Sequence, residues 1–147
     1  MIKYMMKKTG TSSCRFAILL AFILPFVGGT GTVPAQVFRG YYPGGDVQVQ
    51  ANRQDNKNII KGYYPGGKLE FVYEYENGKL NGTTRQYYEN GVLKAEVRYR
   101  DDKRLGIAKY YYASGMLMAK IEFANDKETG NSRFYDENGR PMKAMKK

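Results

Sequence analysis

Thiols, imidazoles, paired carboxylates and activated hydroxyls carry most side-chain chemistry, and this chain is poor in all four. The single cysteine is Cys14, and histidine is absent. From Gln36 onward the polypeptide therefore offers no thiol nucleophile, no imidazole base and no Cys/His zinc site. Ser114 and Ser132 have no histidine to activate them. The close carboxylate pairs are Glu74 with Glu76 and Asp101 with Asp102. Glycoside hydrolysis holds two carboxyls roughly 5 to 10 Å apart in a cleft, whereas one of these pairs alternates along a strand and the other falls in a turn. Glycine-rich segments are present, but without the strand-to-helix setting that cradles a phosphate. The residues point away from an enzyme, and no cofactor or metal is expected.

What the chain does carry is tyrosine and basic residues at fixed spacing. The segments Tyr41-Tyr42-Pro43-Gly44-Gly45, Tyr63-Tyr64-Pro65-Gly66-Gly67, Tyr87-Tyr88-Glu89-Asn90-Gly91, Tyr111-Tyr112-Ala113-Ser114-Gly115 and Tyr135-Asp136-Glu137-Asn138-Gly139 are copies of one another. Their last glycines lie 22, 24, 24 and 24 residues apart. Four residues before that glycine stands a tyrosine in every unit: Tyr41, Tyr63, Tyr87, Tyr111 and Tyr135. Six residues before it stands a base: Arg39, Lys61, Arg85, Lys109 and Arg133. A tyrosine offers an apolar body with a polar tip, and a neighbouring cation can contact its ring, so these ten residues form the candidate binding face.

The elements that must position these columns are strands. After each glycine the apolar residues recur with period two, as Leu69, Phe71, Tyr73 and Tyr75, then Leu93, Ala95, Val97 and Tyr99, then Leu117, Ala119, Ile121 and Phe123. That period is the signature of a strand with one buried face. Asn90-Gly91, Asn138-Gly139, Gly66-Gly67 and Gly44-Gly45 suit two-residue hairpin turns within a unit. Such a turn pairs the residue three before the glycine with the one two after it. Asp55-Asn56, Asn77-Gly78, Asp101-Asp102 and Asn125-Asp126 suit turns between units. The expected fold is all-β: an elongated antiparallel meander of about five tandem β-hairpin repeats in a single twisted sheet. Its units lie near 38–59, 60–81, 82–105, 106–129 and 130–143, and the first and last are degraded as capping repeats are.

The recurring tyrosine pair, the turn, the Gly-Lys-Leu or Gly-Val-Leu step, the aromatic strand and the Asn-Gly-Lys-Leu-Asn-Gly link resemble a known repeat. They are similar to the variant form of membrane occupation and recognition nexus (MORN) repeats, of the kind found in the bacterial YwqK-type antitoxin family. The likeness covers about Phe38 to Arg140, and it implies a non-enzymatic binding or scaffolding role.

Residues 1–35 read as a signal peptide. Lys3, Lys7, Lys8 and Arg15 form a positive start without acids, Phe16 to Val27 is apolar, and Val33 and Ala35 suit a signal peptidase cutting before Gln36. The competing reading is an uncleaved anchor, but the run of twelve residues is short of the roughly 17 to 25 needed to span a bilayer as a helix. The expected location is therefore the periplasm, the cell surface or the exterior. Removing four of the 24 Lys and Arg with this segment leaves twenty against 14 acids, a net charge of +6 for residues 36–147.

One apolar face, which collects Tyr42, Tyr64, Tyr88 and Tyr112 with the alternating apolar residues, is the expected core. A single sheet hides such a face only by curling, by pairing with a second copy as a homodimer, or against a partner. The expected partner is a protein met through the tyrosine and basic columns. Attachment to anionic lipid or glycan of the envelope is the alternative, and nucleic acid is not expected because acids interrupt the positive charge. N-terminal sequencing of the exported product is expected to begin at Gln36; a product that retains Phe16 to Val27 would refute the cleaved leader.

Overall fold

The computed structural model describes residues 35–142. The signal-peptide reading of residues 1–34 and the basic end of the tail at 143–147 lie outside them. All regular structure among the described residues is strand, gathered in one antiparallel sheet of 13 strands. Its main path runs β1 (Gln36–Tyr41), β2 (Val47–Gln54), β3 (Lys57–Tyr63), β4 (Leu69–Glu76), β6 (Gly82–Tyr87), β7 (Leu93–Arg100), β9 (Gly106–Tyr111), β10 (Leu117–Ala124), β12 (Arg133–Tyr135) and β13 (Pro141–Met142). The two-residue strands β5 (Lys79–Leu80), β8 (Lys103–Arg104) and β11 (Lys127–Glu128) pair antiparallel with the ends of β4, β7 and β10 respectively. Path neighbours are also chain neighbours, so the expected meander of hairpin repeats is the observed one.

The two sets of turns differ in a way the sequence reading did not anticipate. Within the third unit the Tyr88 amide donates to the Val92 carbonyl and the Gly91 amide to the Tyr88 carbonyl. This closes a three-residue loop, with Gly91 in the left-handed region at φ 88° and Asn90 outside it. Units one, four and five repeat the pattern around Gly45, Gly115 and Gly139. The two-residue turn is found between units instead. Asn77-Gly78, Asp101-Asp102 and Asn125-Asp126 all have positive φ at both positions, the backbone of a type I′ turn. The expected pairing of Tyr88 with Leu93 is accordingly replaced by Tyr87 opposite Leu93, with a bulge before Tyr87. The same bulge stands before Tyr41, Tyr63 and Tyr111.

A ladder of phenols forms the seam between units. The phenol of Tyr42 donates to the main-chain carbonyl of Tyr63 at 2.9 Å, Tyr64 to that of Tyr87 at 2.8 Å, Tyr88 to that of Tyr111 at 2.8 Å, and Tyr112 to that of Tyr135 at 2.9 Å. Each unit thus holds the next through the second tyrosine of its pair. In unit five that position is Asp136, whose carboxylate accepts the amides of Asn138 and Arg140 in its own turn, and the ladder stops. A second seam runs along the opposite rim. The Asn77 amide donates to Asn56, the Asp102 amide to Leu80 and the Asp126 amide to Arg104.

The spacing of 22 and then 24 residues has a structural cause. Strand β3 pairs with β2 without interruption from Lys57 to Gly62. Later links insert two residues on the incoming strand: Leu80 pairs with Tyr75, but Arg85 pairs with Val72. The insertions fall at Asn81-Gly82, Leu105-Gly106 and Thr129-Gly130, whose glycines all have positive φ.

One face buries itself by alternating large and small residues across the strands. A single cross-strand row reads Gly40, Val49, Gly62, Phe71, Gln86, Ala95, Tyr110, Ala119 and Phe134. Long side chains can lie over their small neighbours, and Ala108 and Ala119 fall to 1% exposure. Phe71 lies so close over Gly62 that a Cβ there would clash with its ring, and that ring stacks on Tyr73 at 4.7 Å. Val97, Ala108, Ala119, Ile121 and Phe123 form the buried cluster, with Tyr99, Tyr110 and Phe134 packed against it. Burial raises the pKa of Tyr73, Tyr99 and Tyr110 above the usual phenol value.

The seam predicts a contrast between adjacent tyrosines. Tyr88→Phe removes a donor and leaves the Tyr111 carbonyl unpartnered, a loss of about 1 kcal/mol. Tyr87→Phe leaves the main-chain acceptor in place, and urea unfolding is expected to show less than half that loss; equal losses would refute the ladder.

Candidate functional site

The other face carries the basic column, and register places it more strictly than spacing could. Directly opposite residues form one continuous row: Arg39, Gln50, Lys61, Val72, Arg85, Glu96, Lys109, Lys120 and Arg133. The five bases chosen from the sequence all stand in it. Lys120 belongs to the same row, and neither column contained it. The signal lay in the period-two rule: the position five after each glycine faces the position six before it, and in unit four that residue is a cation. Neighbouring strands lie about 4.8 Å apart, so the units present equivalent groups every ten ångströms or so.

The tyrosines of the first column follow by alternation, two residues along the same strands. Tyr63, Tyr87, Tyr111 and Tyr135 are half-buried, and Tyr41 is 57% exposed on the first strand. The bulge sets Tyr41, Tyr63, Tyr87 and Tyr111 opposite Val47, Leu69, Leu93 and Leu117, the places a two-residue turn would have given to the second tyrosine of each pair. Lys94 lies near the second tyrosine of the pair, its ammonium 5.4 Å from the centre of the Tyr88 ring. Of the tyrosine pair in each unit, one member carries structure with its hydroxyl, and the other offers only its carbonyl to the seam.

Charge along the row is uneven. The Glu96 carboxylate accepts from Arg85 Nε at 3.1 Å and lies 3.8 Å from Lys109 Nζ, so it serves two cations. These groups are partly solvated, and such pairs contribute about 0.2 to 1 kcal/mol each. Beyond them Lys109, Lys120 and Arg133 occupy adjacent strands with no acid between them in the row. Glu122, two residues from Lys120, accepts from Thr129 Oγ1 and Asn131 Nδ2 at 2.7 Å each. Those bonds favour the ionised form and lower its pKa below the usual 4.5. Together with Ile107, Lys120, Asn131, Ser132 and Arg133, Glu122 lines an open concavity.

The carboxylate pairs have structural duties. Glu74 lies over Gly82 and accepts the Thr83 amide, and Glu76 accepts from Asn81 and Asn56. Asp101 and Asp102 form a turn, and the Asp102 carboxylate accepts the Leu80 amide. Asp126 pairs with Arg104, whose guanidinium lies 4.1 Å over the Phe123 ring. The hydrogen bond from Arg104 lowers the Asp126 pKa.

Glu122 yields a pH prediction. A carboxyl whose folded pKa is depressed stabilises the fold above its ordinary value, and that contribution is lost as pH falls through the folded value. Asn131→Ala is therefore expected to raise the Glu122 midpoint in carbon-detected NMR titration; an unchanged midpoint would remove the hydrogen bond from the account.

Comparison with known proteins bears on the repeat. No curated protein matches the chain. Among solved structures, a crystal structure of TarM shares 10% identity at a TM-score of 0.46, covering 86% of this chain and 26% of that one. A mutant of S. aureus TarM in complex with Fondaparinux, alpha-GlcNAc-glycerol and UDP shares 12% at 0.47, covering 80% and 24%. This chain spans about a quarter of their length, and similarity at that level assigns it neither fold nor activity. Residues 80–101 and 104–125 each match the family model of the MORN repeat variant. These are the stretches that run from one inter-unit turn to the next, so the match supports the repeat unit in the central part of the chain.

Proposed function

We propose that this protein is a non-enzymatic, exported repeat protein that binds another protein and acts as a scaffold, as the resemblance to YwqK-type antitoxin repeats implies. The observation that carries the reading is the in-register row of Arg39, Lys61, Arg85, Lys109 and Arg133 beside the half-exposed column of Tyr41, Tyr63, Tyr87, Tyr111 and Tyr135. Aromatic and arginine side chains on a rigid support are the groups that dominate protein interfaces. The hydroxyls of these tyrosines have no part in the seam, and their row is spaced by the strands, so the face is pre-organised before any partner arrives. An acidic protein surface in the cell envelope fits the charge of the row.

A second reading, attachment to anionic lipid or glycan of the envelope, is favoured by one local feature: the three successive cations Lys109, Lys120 and Arg133. The two readings differ in their dependence on salt and on aromatic groups. Attachment through charge weakens steeply with salt, since the Debye length falls from about 10 Å at 0.1 M to about 3 Å at 1 M.

Pull-down from envelope extract at physiological salt tests the first reading. Tyr87→Ala and Tyr111→Ala keep the main-chain acceptors and the fold, so a specific partner band is expected to be lost in both. A band unaffected by either substitution, or no band at all, rejects the tyrosine face as a protein-binding surface.

A further inference from the structure

We infer that the C-terminal end of the row is a discrete binding site for a tetrahedral oxyanion, a phosphate or sulfate group, held by Lys109, Lys120 and Arg133. The inference rests on the anion-binding reading above for the larger molecule that would carry the group, while the site itself stands on register for all three cations and on a shared concavity for Lys120 and Arg133. In the first three units the cations of the row are separated by Gln50, Val72 and Glu96. In unit four Lys120 takes that separating position, so three cations stand opposite one another on β9, β10 and β12. Like charges directly opposite in a sheet are destabilising, and strands about 4.8 Å apart bring the three within about 10 Å.

The carboxylates nearby leave this charge in place. Glu96 faces Arg85 as well as Lys109. Glu122 lines the same concavity as Lys120 and Arg133 but is engaged by Thr129 and Asn131, and among the described residues it forms no ion pair with either cation. A carboxylate brings one charge and two oxygens. A phosphate monoester brings a charge of about −1.5 to −2 and three acceptor oxygens, enough to meet two ammonium groups and a guanidinium at once. A sulfate ester offers three acceptor oxygens with a single charge, and Arg133 supplies the planar fork that either group accepts.

The test is an NMR titration of the purified protein with inorganic phosphate, with sodium chloride at matched ionic strength as the reference. Saturable shifts centred on Lys109, Lys120 and Arg133 are expected. Lys120→Gln and Arg133→Gln are each expected to weaken binding about tenfold, the loss of one charge-assisted contact, and Lys57→Gln at the far rim to leave it unchanged. Lys120→Gln installs the residue that unit one carries as Gln50, so the fold is expected to hold, and the dispersion of the same spectra checks that it does. Shifts that chloride reproduces, that spread evenly along the row, or that ignore Lys120→Gln and Arg133→Gln overturn the site. A second arm measures recruitment to vesicles of anionic phospholipid. Recruitment lost in Lys120→Gln supports a lipid headgroup as the source. Phosphate binding without recruitment supports the site and rejects the lipid form of the attachment reading.

Discussion

Every unit of this sheet is tied to the next by a phenol that donates to a main-chain carbonyl one repeat away. The acceptor is the carbonyl of the first tyrosine position of the next unit, at the edge of its hairpin. The second tyrosine then reaches across two strands, about 9 to 10 Å of sheet, to meet it. A single hydrogen bond of this kind contributes on the order of 1 kcal/mol. Four of them fix the translation from unit to unit, and the turn-to-turn amides on the opposite rim fix it again. Contacts of this range are local in sequence, and a stack built from them gains stability by repetition, without disulfides or a second layer.

The same arrangement divides labour between the two tyrosines and between the two faces. One face settles its own burial by placing glycine and alanine beside aromatic neighbours, so that Phe71 covers Gly62 and Ala119 lies between Tyr110 and Phe134. With the apolar residues accommodated there, the other face is free to hold a row of charge whose spacing the strands dictate. Uniformity of the repeat makes that row regular, and one substitution in its pattern, Lys120, makes its C-terminal end different from the rest.

Much of the architecture was legible because the sequence writes the same instruction several times. Period-two alternation identified the strands, and the recurring glycine identified the turns. The basic column falls in one row because residues six before and five after the glycine pair. The tyrosine register was not legible. Asn90-Gly91 can serve either a two-residue turn or a three-residue turn with a left-handed glycine, and only the hydrogen bonds of Tyr88 decide between them. The choice shifts every residue near the turn by one place. The hydroxyl ladder could not be foreseen either, since each bond joins a phenol to a main-chain carbonyl in the next unit. The insertions at Gly82, Gly106 and Gly130 were visible as a spacing of 24 against 22, but their placement was not.

The functional picture follows from this division: a sheet of hairpin repeats, similar over residues 80–101 and 104–125 to the MORN repeat variant, with a row of mostly basic residues on one face. Its central claim is that the second tyrosine of each pair builds the seam while the first is left available. Isotope-edited NOE spectra with labelled tyrosine rings test this most directly. The account predicts contacts from the ring of Tyr64 to the backbone of Tyr87 and from the ring of Tyr88 to the backbone of Tyr111. Rings of Tyr63 and Tyr87 making those contacts instead, or ring contacts confined to each unit, would contradict it.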